Sequence, residues 1–128
     1  MKLHKVKSIR ANNFSDDIAK IIDLWQESIM NNENYTGNWY GVYHEYESDF
    51  KGDYTLSICN EDISSNKDNI VIDDKQKYET FEVKSRDDLP KVWQKIWDLE
   101  LKGQLKRAYT IDYEKYSQDS ITIHIALK

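Results

Sequence analysis

The 128-residue sequence predicts an α+β fold: a duplicated β-α-β-β unit with pseudo-twofold symmetry, antiparallel strand pairing and one helix per unit. Three observations predict it. Two segments carry apolar residues at helical spacing, and each is followed by a pair of strand-like segments. The halves also echo one another in letters and in order. Ser15-Asp16-Asp17-Ile18 answers Arg86-Asp87-Asp88-Leu89, Leu24-Trp25-Gln26 answers Val92-Trp93-Gln94, and Val42-Tyr43-His44-Glu45-Tyr46 answers Asp112-Tyr113-Glu114-Lys115-Tyr116. Finally, a polar connection, Asn60 to Lys77, divides the chain where the pattern restarts. The seam between two such units is a natural place for a ligand cavity.

The elements follow in order. His4 to Asn12 reads as a strand anchored by Val6 and Ile9. Ser15-Asp16-Asp17 supplies caps for a helix whose apolar face holds Ile18, Ile21, Ile22, Trp25 and Ile29. Asn31 to Asn34 breaks it. Tyr40 to Ser48 reads as a strand, Asp49 to Asp53 as a turn with Gly52 as its permissive residue, and Tyr54 to Cys59 as the returning strand. The connection holds at most a short strand at Ile70-Val71-Ile72. Tyr78 to Val83 opens the second unit. Its helix starts at Asp87-Asp88-Leu89-Pro90, buries Val92, Trp93, Ile96, Trp97 and Leu99, and stops at Gly103. Arg107 to Ser117 and Ser120 to Leu127 form the last hairpin, with Ile121, Ile123, Ile125 and Leu127 on a core face.

Length and composition restrict the function. The chain fits one domain, 1–128, with repeat halves at about 4–60 and 76–128. Its net charge of −5 and lack of a basic stripe argue against direct nucleic-acid binding. No apolar run approaches the ~18 residues of a membrane helix, so no membrane partner is expected. Met1 to Lys5 lacks the apolar core of a secretory signal, and the single cysteine, Cys59, excludes an internal disulfide, so a cytoplasmic location is expected. There is no phosphate-cradling glycine loop, no nucleophile elbow and no histidine pair at metal spacing, so neither cofactor nor metal is expected.

What stands out is 4 Trp, 9 Tyr and 3 Phe, 12% aromatic residues in an acidic chain. Such rings suit a cavity for flat or cationic molecules, although small cores use tyrosine too. The aromatic set comprises Trp39, Tyr40, Tyr43, Tyr46, Trp93, Trp97, Tyr109, Tyr113 and Tyr116. Strand alternation in Arg107 to Ser117 places Asp112, Glu114 and Tyr116 on one face and Tyr109, Ile111 and Tyr113 on the other. If the second face packs on the helices, Glu114 points to the opposite side. A carboxylate among rings attracts a lipophilic cation, or acts as a general acid or base with a raised pKa.

Tyr40-Gly-Val-Tyr43-His-Glu-Tyr46, Gly52-Asp-Tyr54-Thr, Val92-Trp-Gln-Lys-Ile-Trp97, Arg107-Ala-Tyr109-Thr-Ile-Asp112-Tyr-Glu114-Lys-Tyr116 and Ile121 to Lys128 occur here in that order. Together they resemble the effector-binding domain of AraC-type activators and standalone integron-associated proteins, in the gyrase-inhibitor-like (GyrI-like) superfamily. The resemblance runs from about residue 4 to the end. It departs from the family pattern near Asn60 and at Asp74 to Lys77, where expected turn glycines and proline are replaced. It implies a concave sheet with a cavity between the halves, binding of small, often cationic and aromatic, drug-like molecules, and a cavity-facing glutamate, here Glu114. The family's DNA-binding helix-turn-helix is missing, so a role in transcription regulation would run through a separate regulator protein.

The expected ligand-binding set is Glu114, Tyr116, Tyr46, Trp93, Trp97, Tyr40, Trp39 and Asp112. No catalytic residue is assigned. Two other functions compete with a standalone binding module. One is a small-molecule hydrolase with Glu114 as general base and Tyr116 or Tyr46 as hydrogen-bond donor. The other is a protein–protein inhibitor of the gyrase-inhibitor type.

Overall fold

The computed structural model describes residues 1–13, 17–49, 51–62 and 68–128, with Ile18 described by its backbone alone. The first unit comprises β1 (Lys2–Asn12), α1 (Ile18–Met30), β2 (Trp39–His44) and β3 (Asp53–Asn60). A three-residue strand, β4 (Asn69–Val71), lies in the connection. The second unit comprises β5 (Tyr78–Val83), α2 (Leu89–Leu101), β6 (Asp112–Tyr116) and β7 (Ile121–Ala126). The strands form one antiparallel, curled sheet in the order β4-β1-β3-β2-β6-β7-β5. Apart from β4, the order β1-β3-β2 is mirrored by β6-β7-β5, so the pseudo-twofold axis passes between β2 and β6. At that seam Trp39 pairs with Tyr116, Gly41 with Glu114 and Tyr43 with Asp112.

Both helices cover the same face. α1 lays Ile21, Leu24 and Trp25 on Tyr54, Leu56 and Ile58 of β3. α2 lays Val92, Trp93 and Ile96 on Ile123 and Ile125 of β7 and Val83 of β5. Burial of a large aliphatic side chain stabilises by about 1.5–3 kcal/mol, so these two clusters hold the helices down. The opposite face is closed without a helix. Tyr40, Val42 and Cys59 pack there with Leu3 and Ile72, joined by partly buried Tyr78, Ile111 and Tyr113.

Local chemistry explains the ends of the elements. α2 stops at Gly103, whose φ of 74° lets its N–H reach Glu100 while Gln104 N–H reaches Leu99. Pro90 sits in the first turn, where no helical N–H is lost. The expected caps Ser15 and Asp16 lie outside the described residues; Asp17 occupies the N-cap position of α1. Phe50 in the β2–β3 turn is also outside them. Gly52 in that turn does not need a left-handed backbone. A Cβ there would meet Ser48 Oγ at 2.3 Å, so glycine permits a close approach instead.

Three expectations change. The strands expected over Tyr40–Ser48 and Arg107–Ser117 are shorter, because Glu45 (φ 52°) and Tyr109 (φ 56°) take left-handed backbone and break the ladders. The alternation across β6 holds, but it is the Glu114 face, not the Tyr113 face, that carries the helices. Tyr109 lies beyond the break and joins the helix side, against Tyr46. Finally, Ile22 and Ile29 are 50% and 39% exposed rather than core. Both lie on the edge of α1 that faces Pro90 and Trp97 of α2 across an open space.

Candidate functional site

Between the two helices and above the β2–β6 seam lies a cleft of ≈ 640 Å³. Its walls come from the facing edges of the helices: Ile22, Trp25 and Ile29 on α1, and Pro90, Trp93 and Trp97 on α2. Its floor comes from the sheet: Tyr43, Tyr46, Tyr54, Glu114 and Tyr116. Each helix contributes one tryptophan to the contacts around Glu114. The ring of Trp25 meets Tyr116 edge-on at 5.0 Å, and that of Trp93 meets Tyr43 at 5.3 Å.

Glu114 is 4% exposed. Its Oε2 accepts from Trp93 Nε1 at 2.7 Å and from the Tyr43 hydroxyl at 3.0 Å; its Oε1 accepts from the Tyr116 hydroxyl at 2.8 Å. A carboxylate offers about four acceptor positions, so among the described residues one on Oε1 stays open. All three donors are neutral, and among the described residues no ion pair to Glu114 forms. Burial raises its pKa above the ordinary carboxylate value, and the bonds from Trp93, Tyr116 and Tyr43 only partly oppose that. The tyrosines respond in kind. Burial, then the charge of Glu114, raises Tyr43 and Tyr116, and raises Tyr54 to about 12. They remain protonated donors at neutral pH.

Gly41 makes this arrangement possible. It faces Glu114 across the seam, and a Cβ there would stand 3.0 Å from Oε1 and 3.1 Å from Trp25 Cζ2. The missing side chain leaves room for the carboxylate and the indole together.

Asp112, two residues before Glu114 on the same face, has different company. It is fully buried, bonded by Arg107 Nη2 at 2.8 Å, the Tyr46 hydroxyl at 2.5 Å and Ala126 N–H at 2.7 Å. Arg107 is itself buried, with its guanidinium carbon 4.3 Å from the Tyr109 ring centroid.

The expected residues therefore separate. Glu114, Tyr116, Tyr46, Trp93 and Trp97 line the cleft together. Asp112 lies beneath it, held by Arg107. Trp39 is on the helix side but packs with the α1–β3 cluster and edge-on against Tyr35 at 5.3 Å, away from the cleft lining. Tyr40 is on the other face of the sheet, because β2 alternates and Gly41 and Tyr43 take the cleft side; its hydroxyl bonds Glu61 at 2.9 Å. Trp25, Gly41, Arg86 and Arg107 were not in the expected set. The internal repeat carried a signal for Trp25, since it answers Trp93. A strand glycine is a signal for close approach at Gly41.

Among the described residues no helix is long and apolar enough to cross a membrane, and no group of three or more His, Cys, Asp or Glu side chains is placed to hold a metal ion.

Comparisons with known proteins agree with this architecture. Residues 6–127 match the Cass2 family model, described as integron-associated effector binding protein. Among solved structures, the chain is similar to integron cassette protein VCH_CASS2 from the mobile metagenome of Vibrio cholerae. The TM-score is 0.79 at 24% identity, over 100% of this chain and 90% of that one, which speaks for a shared fold. No curated protein matches the sequence.

Proposed function

Because the chain belongs to the family of integron-associated effector binding proteins, we propose that it is a receptor for a small, flat, cationic molecule held in the cleft between α1 and α2. One observation carries this reading: the Glu114 carboxylate sits on the aromatic floor of the cleft with three neutral donors and, among the described residues, no cation paired to it. A buried carboxylate without a counter-charge is held at a cost, and a cationic guest supplies the missing partner. Trp25, Trp93 and the floor tyrosines line the same space, and a cation seated over the face of an aromatic ring gains about 0.5–2 kcal/mol. The open acceptor position on Oε1 suits a donor on the guest. Occupancy of the cleft would then pass to a separate regulator protein, which gives the module a part in transcription regulation. In this reading residues 1–128 form a single binding domain.

A ligand panel read by tryptophan fluorescence tests it, on wild type and Glu114→Gln side by side. The panel holds flat cations and neutral compounds of the same shape. The expected result is quenching selective for cations in wild type and lost in the variant. Equal binding of cations by both proteins would remove Glu114 from the binding site. No binding by either would shift the function toward protein–protein contact.

A further inference from the structure

Three described cleft-lining side chains carry charge: Glu114, Arg107 and Arg86. Arg107 is committed to Asp112 at 2.8 Å. Among the described residues neither Glu114 nor Arg86 has an ionic partner, and Asp88, near Arg86, is engaged by Lys91 at 3.9 Å. The local chain places Arg86. Ser85 is extended, and a single 3-10 turn, Arg86–Asp88, leads directly into α2. That brings the exposed Arg86 to the mouth of the cleft, its guanidinium carbon 5.6 Å from the Tyr116 ring centroid. The hydroxyl of the same Tyr116 is 2.8 Å from Glu114 Oε1. One tyrosine side chain thus links the two unpartnered charges, carboxylate at the floor and guanidinium at the rim.

The cleft therefore has polarity. A guest that is only cationic is attracted at depth and repelled at the entrance. A guest with an acid at its outer end is attracted at both, and the planar fork of an arginine matches a carboxylate in two parallel hydrogen bonds. We propose that the cleft selects an amphoteric ligand: a flat cation for Glu114 joined, over about the length of a tyrosine side chain, to a carboxylate that engages Arg86. Arg86 is then a specificity-determining residue. This inference rests on the function proposed above and names its ligand class more narrowly.

The test uses a matched pair of probes, an N-alkyl acridinium whose chain ends in a carboxylate and the methyl ester of the same compound. Both are titrated by calorimetry into wild type, Arg86→Gln and Glu114→Gln. Wild type should bind the acid about tenfold more tightly than the ester, the scale of one charge-assisted contact. Arg86→Gln should bring the two affinities together while keeping the ester bound. Glu114→Gln should weaken both and preserve the preference for the acid. Equal affinities in wild type, or an acid preference untouched in Arg86→Gln, would overturn the role of Arg86 while leaving the cation site intact. Failure of wild type to bind the ester or the acid would overturn both readings.

Discussion

Two carboxylates two residues apart on β6 share a strand face and a depth of burial, yet their surroundings differ. Asp112 meets a guanidinium, a hydroxyl and a backbone N–H, and faces Tyr43 across the seam. Glu114 meets three neutral donors and faces a glycine. The first is complete within the chain. Among the described residues the second has three hydrogen bonds but no counter-charge, and it lines the cleft. Burial of a carboxylate does not by itself mark a binding group; what matters is whether the chain supplies the counter-charge. Asp112 is structural by this criterion, while the proposed function gives Glu114 a partner from outside.

Neutralising one or the other of the two carboxylates should act with opposite sign. Asp112→Asn has the largest effect. It leaves the buried Arg107 with only the longer contact to Glu100 at 3.8 Å, and loss of one member of a buried pair destabilises by about 3–5 kcal/mol. Urea unfolding should show a midpoint far below wild type with little change in slope. Gly41→Ala is intermediate. It forces a methyl group against Glu114 Oε1 and Trp25, and overpacking of this kind costs about 1–3 kcal/mol. Unfolding measures that cost, and weaker binding of an acridinium probe should accompany it.

Glu114→Gln is the smallest and runs the other way. Burial makes the folded protein hold the Glu114 proton more tightly than the unfolded chain does. Its contribution to stability is thus fully present below the unfolded carboxylate pKa and lost as pH rises through the folded one. The amide does not incur that loss, so at pH 7 the variant should be more stable than wild type by about 1 kcal/mol, the scale of one net hydrogen bond. The gap should close toward acid pH, as thermal melts across pH would show. A variant less stable than wild type at pH 7 would mean that the site is complete without a ligand. Cation binding by wild type should strengthen over the same rise in pH.

Much of this arrangement was legible in the sequence because it rests on period and repetition. Two helical stripes, the isoleucines of β7 and the echoing tryptophans fix the order of elements and hence the β2–β6 seam. Strand alternation placed Asp112, Glu114 and Tyr116 together. What escaped the sequence depends on single backbone torsions and on tertiary choice. The left-handed turns at Glu45 and Tyr109 put Tyr46 and Tyr109 on the helix side, where unbroken alternation does not. Which sheet face carries the helices cannot be read from alternation, so Tyr40 was expected among the ligand-binding residues, whereas the structure seats it across the sheet. Arg107 reaches Asp112 from before the strand, a contact set by the chain's path and not by spacing.

The exposed edge of α1 has a thermodynamic consequence. Ile22 and Ile29 are left half-wetted at the lip of the cleft, facing Pro90 and Trp97 across a gap instead of packing on the sheet. A guest that fills the gap removes that surface from water. Removal of apolar surface carries a negative heat-capacity change, whatever the sign of the enthalpy at room temperature. Association should therefore become steadily more exothermic on warming. On the function proposed above, the slope should report the hydrocarbon covered by the guest, and Glu114→Gln should lower the affinity with little effect on that slope.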